Sequence, residues 1–283
     1  MTLTTAQDAT PPEVTSQPAR TLHARLVALP SVVLGVVGTG LFLLAWELVP
    51  RLGLVPAKYL PPPSEVVGYF LRNLTYAEFW IAVWETMKGW AIGLAIAVVA
   101  AVLIGLVIGS STFLRKLTNS TIEFLRPIPS VALIPLAVLL FGFELESKLL
   151  LVVYASFWQV LIQVLYGVAD VDPVADSTAK SFGLGQLARI RHVTWPTTLP
   201  YLMTGLRLGA AVALILAVTA ELVIGNPGLG KEIALAQSGG SVAPMYALVV
   251  ATGFIGVLIN AVFRSIERRV LSWHPSVRAE LNA

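Results

Sequence analysis

Residues 172–200 read DPVADSTAKSFGLGQLARIRHVTWPTTLP and form a polar passage between two long apolar runs. Asp172 followed by Pro173 is typical of a helix start, because aspartate caps free backbone amides and proline is tolerated in the first turn. Gly183 tolerates the positive φ that often ends a helix. The pattern predicts a helix over residues 173–182, which is too short to cross a bilayer.

One side of this predicted helix is less polar than the rest. Val174, Thr178 and Phe182 follow at intervals of four residues and therefore share a face. A second short amphipathic helix is predicted over residues 184–193, and Pro196 opens the next apolar run. Two short polar helices between long apolar segments indicate a place where the chain meets a partner.

The composition of the whole chain indicates a membrane protein. Of its 283 residues, 56% are hydrophobic and 12% are charged, which is about half the charged share of an average soluble protein. There is no cysteine, so disulfides, thiolate metal sites and cysteine nucleophiles are excluded. The three histidines are scattered through polar segments, and we expect no metal site and no cofactor.

Six apolar runs are long enough to cross a bilayer as helices of about 20 residues. They are predicted at residues 32–49, 80–108, 117–141, 149–169, 196–224 and 244–263. The expected fold class is therefore all-α, a polytopic membrane protein with six transmembrane helices. We expect one transmembrane domain over 29–271 with a polar loop at 170–200, between a disordered tail at 1–28 and a short tail at 272–283.

Lysine and arginine fall unevenly on the two sides of these spans. Eleven lie on the side of the N-terminus, and they are Arg20, Arg25, Arg115, Lys116, Lys180, Arg189, Arg191, Arg264, Arg268, Arg269 and Arg278. Five lie on the other side, and they are Arg51, Lys58, Arg72, Lys148 and Lys231. Because cytoplasmic loops carry the excess of positive charge, both termini and the 170–200 loop are predicted to be cytoplasmic.

The same loop resembles that of the permease subunits of bacterial ABC importers. Their loop carries a Glu-Ala-Ala triplet, a glycine shortly after it and a Leu-Pro pair further on. The corresponding positions here hold Ser177, Thr178, Ala179, Gly183, Leu199 and Pro200. Serine replaces the usual glutamate, although Asp176 lies one residue earlier.

Three further motifs resemble the nitrate, sulfonate and taurine branch of these permeases. They are the Leu-Pro-x-Pro-Ser start at 60–64, the run RPIPSVALIP at 126–135 and the glycine-rich turn at 225–230. Together with the 172–200 loop, they extend the resemblance over about residues 60–271.

The resemblance implies a type I ABC importer permease fold and a set of partners. Two permease copies, expected to be identical, pair within the membrane lipid, and a dimer of ATP-binding subunits lies in the cytoplasm. An extracytoplasmic solute-binding protein delivers a small, anionic solute such as a sulfonate, taurine or nitrate, and nucleic acid is not expected. ATP hydrolysis then belongs to a partner, so this chain is not an enzyme. The residues implied to contact the ATPase are Asp176, Ser177, Thr178, Ala179, Lys180, Phe182 and Gly183.

Residues 225–231, GNPGLGK, match the spacing of a phosphate-binding loop. Glu232 stands where such a loop has serine or threonine, so the magnesium-ligating hydroxyl is missing and a carboxylate would repel phosphate. The loop also follows a predicted membrane helix rather than a strand. We therefore predict that these glycines allow a tight turn or a close helix approach. The energy for transport is expected from a separate subunit or an ion gradient.

A proline cluster over residues 127–135 interrupts the third predicted span. Proline removes helix hydrogen bonds, so a kink is expected there, either purely architectural or facing a cavity. Arg126 precedes the cluster, and Glu123 lies three residues before it as a possible partner. Because arginine at the centre of a span costs about 2.5–3.5 kcal/mol, Arg126 is a candidate functional residue.

Polar side chains in other spans are also candidates for a translocation pathway. Arg207 in the fifth span would suit an anionic solute, with snorkelling or pairing as the alternative. The fourth span carries Gln159 and Gln163, which share a polar face with Ser156 and Tyr166. That face either lines the pathway or forms hydrogen bonds between helices. The pathway candidates are therefore Arg126, Gln159, Gln163 and Arg207.

Small residues recur every fourth position along the second span, at Gly93, Ala97, Ala101, Gly105 and Gly109. This spacing predicts close helix packing, within the subunit or with its twin.

The rival function is a secondary transporter or channel. It would need a buried ionisable group, and Glu221 is its one acidic candidate. A membrane-embedded enzyme would need facing carboxylates or histidines, and the sequence shows no such pattern.

Overall fold

The computed structural model describes residues 31–273, and over that range the chain is helical without any strand. The predicted tail at 1–28 lies outside the described residues, as does all of the 272–283 tail except its first two residues. The helices are α1 (Ser31–Arg51), α2 (Pro63–Asn73), α3 (Ala77–Gly109), α4 (Thr112–Leu125), α5 (Ile134–Phe141), α6 (Leu145–Ala169), α7 (Pro173–Ser181), α8 (Gln186–Arg189), α9 (Trp195–Ile224), α10 (Leu229–Ser238) and α11 (Val242–Val270).

Five of the described helical segments are long and apolar enough to cross a membrane. Four are α1, α3, α6 and α11, and the fifth is the continuous segment Gln186–Ile224. The sixth predicted span is a bent pair, in which α4 and the segment Ser130–Phe141 meet at 81°. The all-α polytopic fold is thus confirmed.

The bend confirms the kink expected from the proline cluster, but the break is sharper than one kinked helix over 117–141. Pro129 has no amide to donate to the carbonyl of Leu125, four residues earlier. That carbonyl accepts from the amide of Ile128 at 3.2 Å and from the hydroxyl of Tyr154 on α6 at 2.6 Å. The carbonyl at the break is therefore satisfied by a turn and by a neighbouring helix, as membrane depth requires.

The second short helix predicted over 184–193 begins at Gln186, but it does not end before the next span. α8 continues through a π turn, Ile190–Thr194, directly into α9. Pro196 lies in the first turn of α9, where its missing amide does not interrupt the helix. The sequence reading also missed α10, a short helix that follows the glycine-rich loop.

The core forms where α3, α6 and α9 pack together. The small-residue stripe of α3 faces α6, since a Cβ added at Gly93 would lie 2.6 Å from Val152 Cγ1, and one at Gly105 would lie 2.7 Å from Val164 Cγ1. Ala97 in the same stripe is fully buried. The predicted close packing is confirmed, and it lies within the subunit.

α1 contacts little of this core, and most of its described side chains are exposed. Its last turns are attached to the start of α2: Trp46 Nε1 donates to the carbonyl of Pro61 at 3.1 Å, and Ser64 Oγ donates to Glu47 at 2.7 Å. We call the end of the bundle with α7 and α8 the α7 end. The opposite end, with the loop 225–228 and α10, is the α10 end.

Candidate functional site

The predicted limits of α7 are confirmed by its caps. Asp172 Oδ1 accepts a hydrogen bond from the amide of Val174 at 2.8 Å, so the N-terminus is capped as expected. At the other end Gly183 has φ +75°, and the amide of Leu184 donates to the carbonyl of Ala179 at 3.0 Å. This is a Schellman termination, which turns the chain sharply toward α8.

Asp176 joins α7 to α8. Its carboxylate lies 2.6 Å from Lys180 Nζ on the same helix and 2.7 Å from Arg189 Nη1 on α8. The hydrogen bond from Lys180 and the charge of Arg189 hold the pKa of Asp176 below its ordinary value. Asp176 therefore sets the angle between the two short helices, although it is not at the glutamate position of the family motif.

The outward side of α7 is apolar and uncovered. Val174 is 71% exposed, Phe182 is 81% exposed, and Leu187 in α8 is 83% exposed. Thr178 lies between the first two on the same exposed face, as the four-residue spacing predicted. We call Val174, Thr178, Phe182 and Leu187 the α7 surface. Clustered exposed apolar side chains next to polar ones are typical of a protein contact.

The seven residues implied to contact an ATPase divide into two groups in the structure. Ser177, Thr178, Lys180 and Phe182 are exposed, so they are available to a partner. Asp176, Ala179 and Gly183 instead hold the shape of the α7–α8 turn, with Ala179 buried against the rest of the chain. The motif thus combines exposed side chains with the residues that fix the shape of the turn.

A cavity of about 560 Å³ lies between α4 and α6, toward the α7 end. Its polar lining comprises Arg115, Thr118, Asn119, Glu123, Arg126, Gln159 and Tyr166. Two of the four pathway candidates, Arg126 and Gln159, therefore lie together. Glu123 does not pair with Arg126 but accepts a hydrogen bond from Asn119 Nδ2 at 2.8 Å. Among the described residues no ion-pair partner contacts Arg126, which is exposed.

The other two pathway candidates lie elsewhere. Gln163 packs against α9, because a Cβ added at Gly205 would lie 3.0 Å from the Cβ of Gln163. Arg207 Nη1 lies 3.2 Å from Glu267 Oε2 and so links α9 to α11. Pairing, the alternative given for Arg207, is thus present. The partner could not be inferred because Glu267 lies 60 residues further along the chain.

The polar face predicted on α6 divides in the same way. Ser156 Oγ donates to the carbonyl of Gly209 on α9 at 3.3 Å, and Gln163 lies on the same side. Gln159 and Tyr166 are turned toward the cavity. The hydrogen bond between helices is thus found for Ser156, Gln163 packs at the same helix contact, and Gln159 and Tyr166 line the cavity.

A buried polar network at the α10 end was not predicted. Lys148 Nζ lies 2.9 Å from Glu221 Oε1, and both side chains are buried. Glu221 Oε2 also accepts hydrogen bonds from Thr86 Oγ1 at 2.8 Å and from the amide of Gly230 at 3.0 Å. The one acidic candidate for ion coupling is thus neutralised by a lysine and held by two further donors.

The glycine-rich loop closes over this network. Gly228 has φ +150°, and a Cβ there would overlap the Glu221 carboxylate. Asn226 Nδ2 donates to the carbonyls of Phe143 at 2.6 Å and Glu144 at 2.8 Å. Both alternatives for the glycines are found: residues 225–228 form the turn, and Gly228 and Gly230 approach the helix that carries the buried carboxylate.

An apolar helix bundle with a polar-lined cavity is the arrangement expected of a membrane transport protein. The chain belongs to the family of binding-protein-dependent transport system inner membrane components, whose model matches residues 97–272. It is therefore a multi-pass membrane permease.

Curated relatives place it within that family. It is 32% identical to the taurine transport system permease protein TauC of Escherichia coli (strain K12) over 248 residues, 86% of this chain and 90% of that protein. It is 28% identical to the putative aliphatic sulfonates transport permease protein SsuC of Bacillus subtilis (strain 168) over 235 residues, 82% of this chain and 84% of that protein. The resemblance to the sulfonate and taurine branch is thus confirmed.

A solved structure shows the same fold. A chain of the MetNI methionine ABC transporter in an inward-facing conformation matches with a TM-score of 0.60 and 17% sequence identity. The match covers 68% of this chain and 96% of that chain. The expected importer permease fold is confirmed.

Proposed function

We propose that this chain is the membrane subunit through which an ATP-driven importer moves a small anionic solute, such as a sulfonate, taurine or nitrate. The observation that carries the proposal is the α7 surface, an apolar face held at a fixed angle by Asp176 and left uncovered by the rest of the chain. An ATP-binding subunit docks there and moves α7. The movement passes through the continuous segment Gln186–Ile224 into the membrane.

Energy comes from that partner subunit and not from this chain. In the one loop with phosphate-binding spacing, the amide of Gly230 donates to Glu221 at 3.0 Å, so a phosphate would compete with a buried carboxylate for it. Glu232 adds a second negative charge beside the loop. These two features support assigning ATP hydrolysis to the partner.

An anionic solute fits the cavity between α4 and α6. Arg115 and Arg126 both line it, and neither forms an ion pair with another described residue. The names of the taurine and sulfonate relatives point to the same chemical class. We assign Arg126 and Gln159 to the pathway. Gln163 and Arg207 lie at helix contacts beside it, and we place them where pathway movements would be transmitted.

The remaining partners follow from the same proposal. Two identical copies pair in the membrane, an extracytoplasmic solute-binding protein delivers the solute, and both termini and the α7 end face the cytoplasm. Because the natural chain has no cysteine, a single cysteine at Lys180 reports sidedness directly. We expect a membrane-impermeant thiol reagent to label it only from the cytoplasmic side. Copies carrying two different affinity tags should purify together if the pair forms.

The docking step is tested by replacing Phe182 and Val174 with serine in the full complex. Co-purification of the ATP-binding subunit and ATP-driven uptake of taurine into proteoliposomes should both fall at least fivefold, because the apolar contact is lost. Phe254→Ala is the matched control, since Phe254 is 63% exposed on α11, away from α7. Unchanged co-purification in both serine variants would refute docking at the α7 surface.

A further inference from the structure

We infer that Arg115 is a positioning residue that links the position of α7 to the charge of the cavity. The inference rests on the proposed function and assigns a role to a residue that no motif of the sequence singled out. Arg115 lies in the first turn of α4, just after the bend that joins α3 to α4.

Arg115 is not explained by local helix stability. The N-terminus of a helix carries partial positive charge, so a cation in the first turn is unfavourable there. Lys116 beside it has the same disadvantage but is exposed to solvent. Arg115 is only partly exposed, and its Nε is buried without a hydrogen-bond partner. A buried donor with no acceptor is costly, so another conformation of the complex is expected to supply one.

Arg115 is shared by two cavities. On one side it lines the 560 Å³ cavity with Arg126 and Gln159. On the other it lines a space of about 430 Å³ between the ends of α3 and α6 and the α7–α8 turn. Among the described residues that line this second space, Asp176 is the single carboxylate. The guanidinium therefore lies between the pathway cavity and the residue that braces α7.

Asp176 and an anion in the pathway cavity compete for the guanidinium of Arg115. In this conformation Asp176 is bound to Lys180 and Arg189, which leaves Arg115 available to an anion in the pathway cavity. A movement of α7 relative to α8 that weakens the contact between Asp176 and Arg189 lets Asp176 attract Arg115 through the second space. Withdrawal of the guanidinium then lowers the affinity of the cavity for an anionic solute, so release follows the movement of α7.

The test uses the complete complex, with its ATP-binding and solute-binding partners, in proteoliposomes. The measured quantity is the number of taurine molecules imported per ATP hydrolysed. R115Q should lower this ratio at least fivefold, with basal ATP hydrolysis and co-purification within twofold of the unaltered complex. R115K keeps the charge and should retain more than half of the ratio. K116Q is the matched control and should change nothing.

A double-mutant cycle shows whether Asp176 is the partner. D176N has a loss of its own because Asp176 also braces α7, so the effect of R115Q is compared in the two backgrounds. If the two residues act on one another, R115Q should lower the ratio at least twofold less in the D176N complex than in the unaltered complex. The inference would be overturned if the losses of the two single variants multiply in the double variant, or if R115Q leaves the ratio within twofold of normal. It would also be overturned if R115K and R115Q lower the ratio equally, or if the R115Q complex fails to co-purify. Absence of ATP-driven uptake by the unaltered complex would overturn the proposed function as well.

Discussion

Lys148 Nζ lies 2.9 Å from Glu221 Oε1, between two helices that cross the middle of the core. The ammonium also donates to the carbonyls of Glu85 at 3.1 Å and Pro227 at 3.2 Å, so all three of its donors are used. This pair holds α3, α6, α9 and the glycine-rich loop at one point. It gives the α10 end a rigid centre, while the α7 end carries the exposed surface.

Removing one member of this pair should destabilise the protein strongly. Lys148→Met leaves the Glu221 carboxylate buried without its cation, which typically costs about 3–5 kcal/mol. Adding Glu221→Gln removes the uncompensated charge, so the double variant should be more stable than Lys148→Met alone. Thermal unfolding of the purified chain in detergent measures both.

Lys88→Met is the control for that experiment. Lys88 pairs with Glu85 at 3.4 Å on a partly exposed helix face, where an ion pair contributes about 0–1 kcal/mol. Its unfolding temperature should stay close to that of the natural chain. If Lys148→Met were no more harmful than Lys88→Met, the buried pair would not be a structural centre.

The glycine-rich loop should not tolerate a methyl group at Gly230. A Cβ there would overlap the carbonyl of Val218 and lie 2.7 Å from Glu221 Cβ. Because both neighbours belong to the core, Gly230→Ala should cost about 1–3 kcal/mol through overpacking. Gly253→Ala on α11 meets nothing within 4 Å and should leave unfolding unchanged or slightly later. Equal unfolding temperatures for the two variants would contradict the loop geometry.

Gly183 and Gly185 offer a matched pair two residues apart. Gly183 has φ +75°, whereas Gly185 has φ −66°, and neither has a neighbour within 4 Å. Gly183→Ala therefore strains the turn by about 1–2 kcal/mol and should reduce co-purification of the ATP-binding subunit several-fold. Gly185→Ala should behave like the natural chain. A loss of the same size in both would mean that the turn conformation is not what matters.

The contacts of Asp176 with Lys180 and Arg189, which brace α7 against α8, should weaken in acid. The pKa of Asp176 is lowered in the folded state by Lys180 and Arg189, so its stabilising effect is complete above the ordinary aspartate value of about 3.9 and is lost as the pH falls through the lowered value. Hydrogen exchange of the α7–α8 turn should speed up in that acid range. Asp176→Asn should exchange fast at every pH. A pH profile identical in both proteins would exclude the brace.

Local signals were sufficient for the short helix α7. Its cap, its glycine and its spaced apolar residues involve neighbours within a few positions, and each was found as predicted. The kink at the prolines could be predicted because proline acts on its own turn of helix. Its angle could not, because the 81° bend depends on what the adjoining segments pack against.

Long-range pairings could not be read from the chain. The sequence places Lys148 only among the outer-side charges, because its partner lies 73 residues away in a helix contact that no local pattern reveals. The polar residues of α6 were treated as one face, but neighbouring helices divided them between a contact and a cavity. Arg115 was counted only for its charge.

Apolar length, caps, prolines and the distribution of charge by themselves determined an all-helical membrane chain with a short polar helix pair between two spans. These features act over one or two helical turns and against the bilayer, so they need no tertiary partner. The tertiary structure decided which small residues meet, that Glu221 binds Lys148, and that Arg115 borders two cavities. Those relationships depend on how helices that are distant in sequence pack together. Neither the spacing of apolar residues nor the composition of the chain encodes that packing.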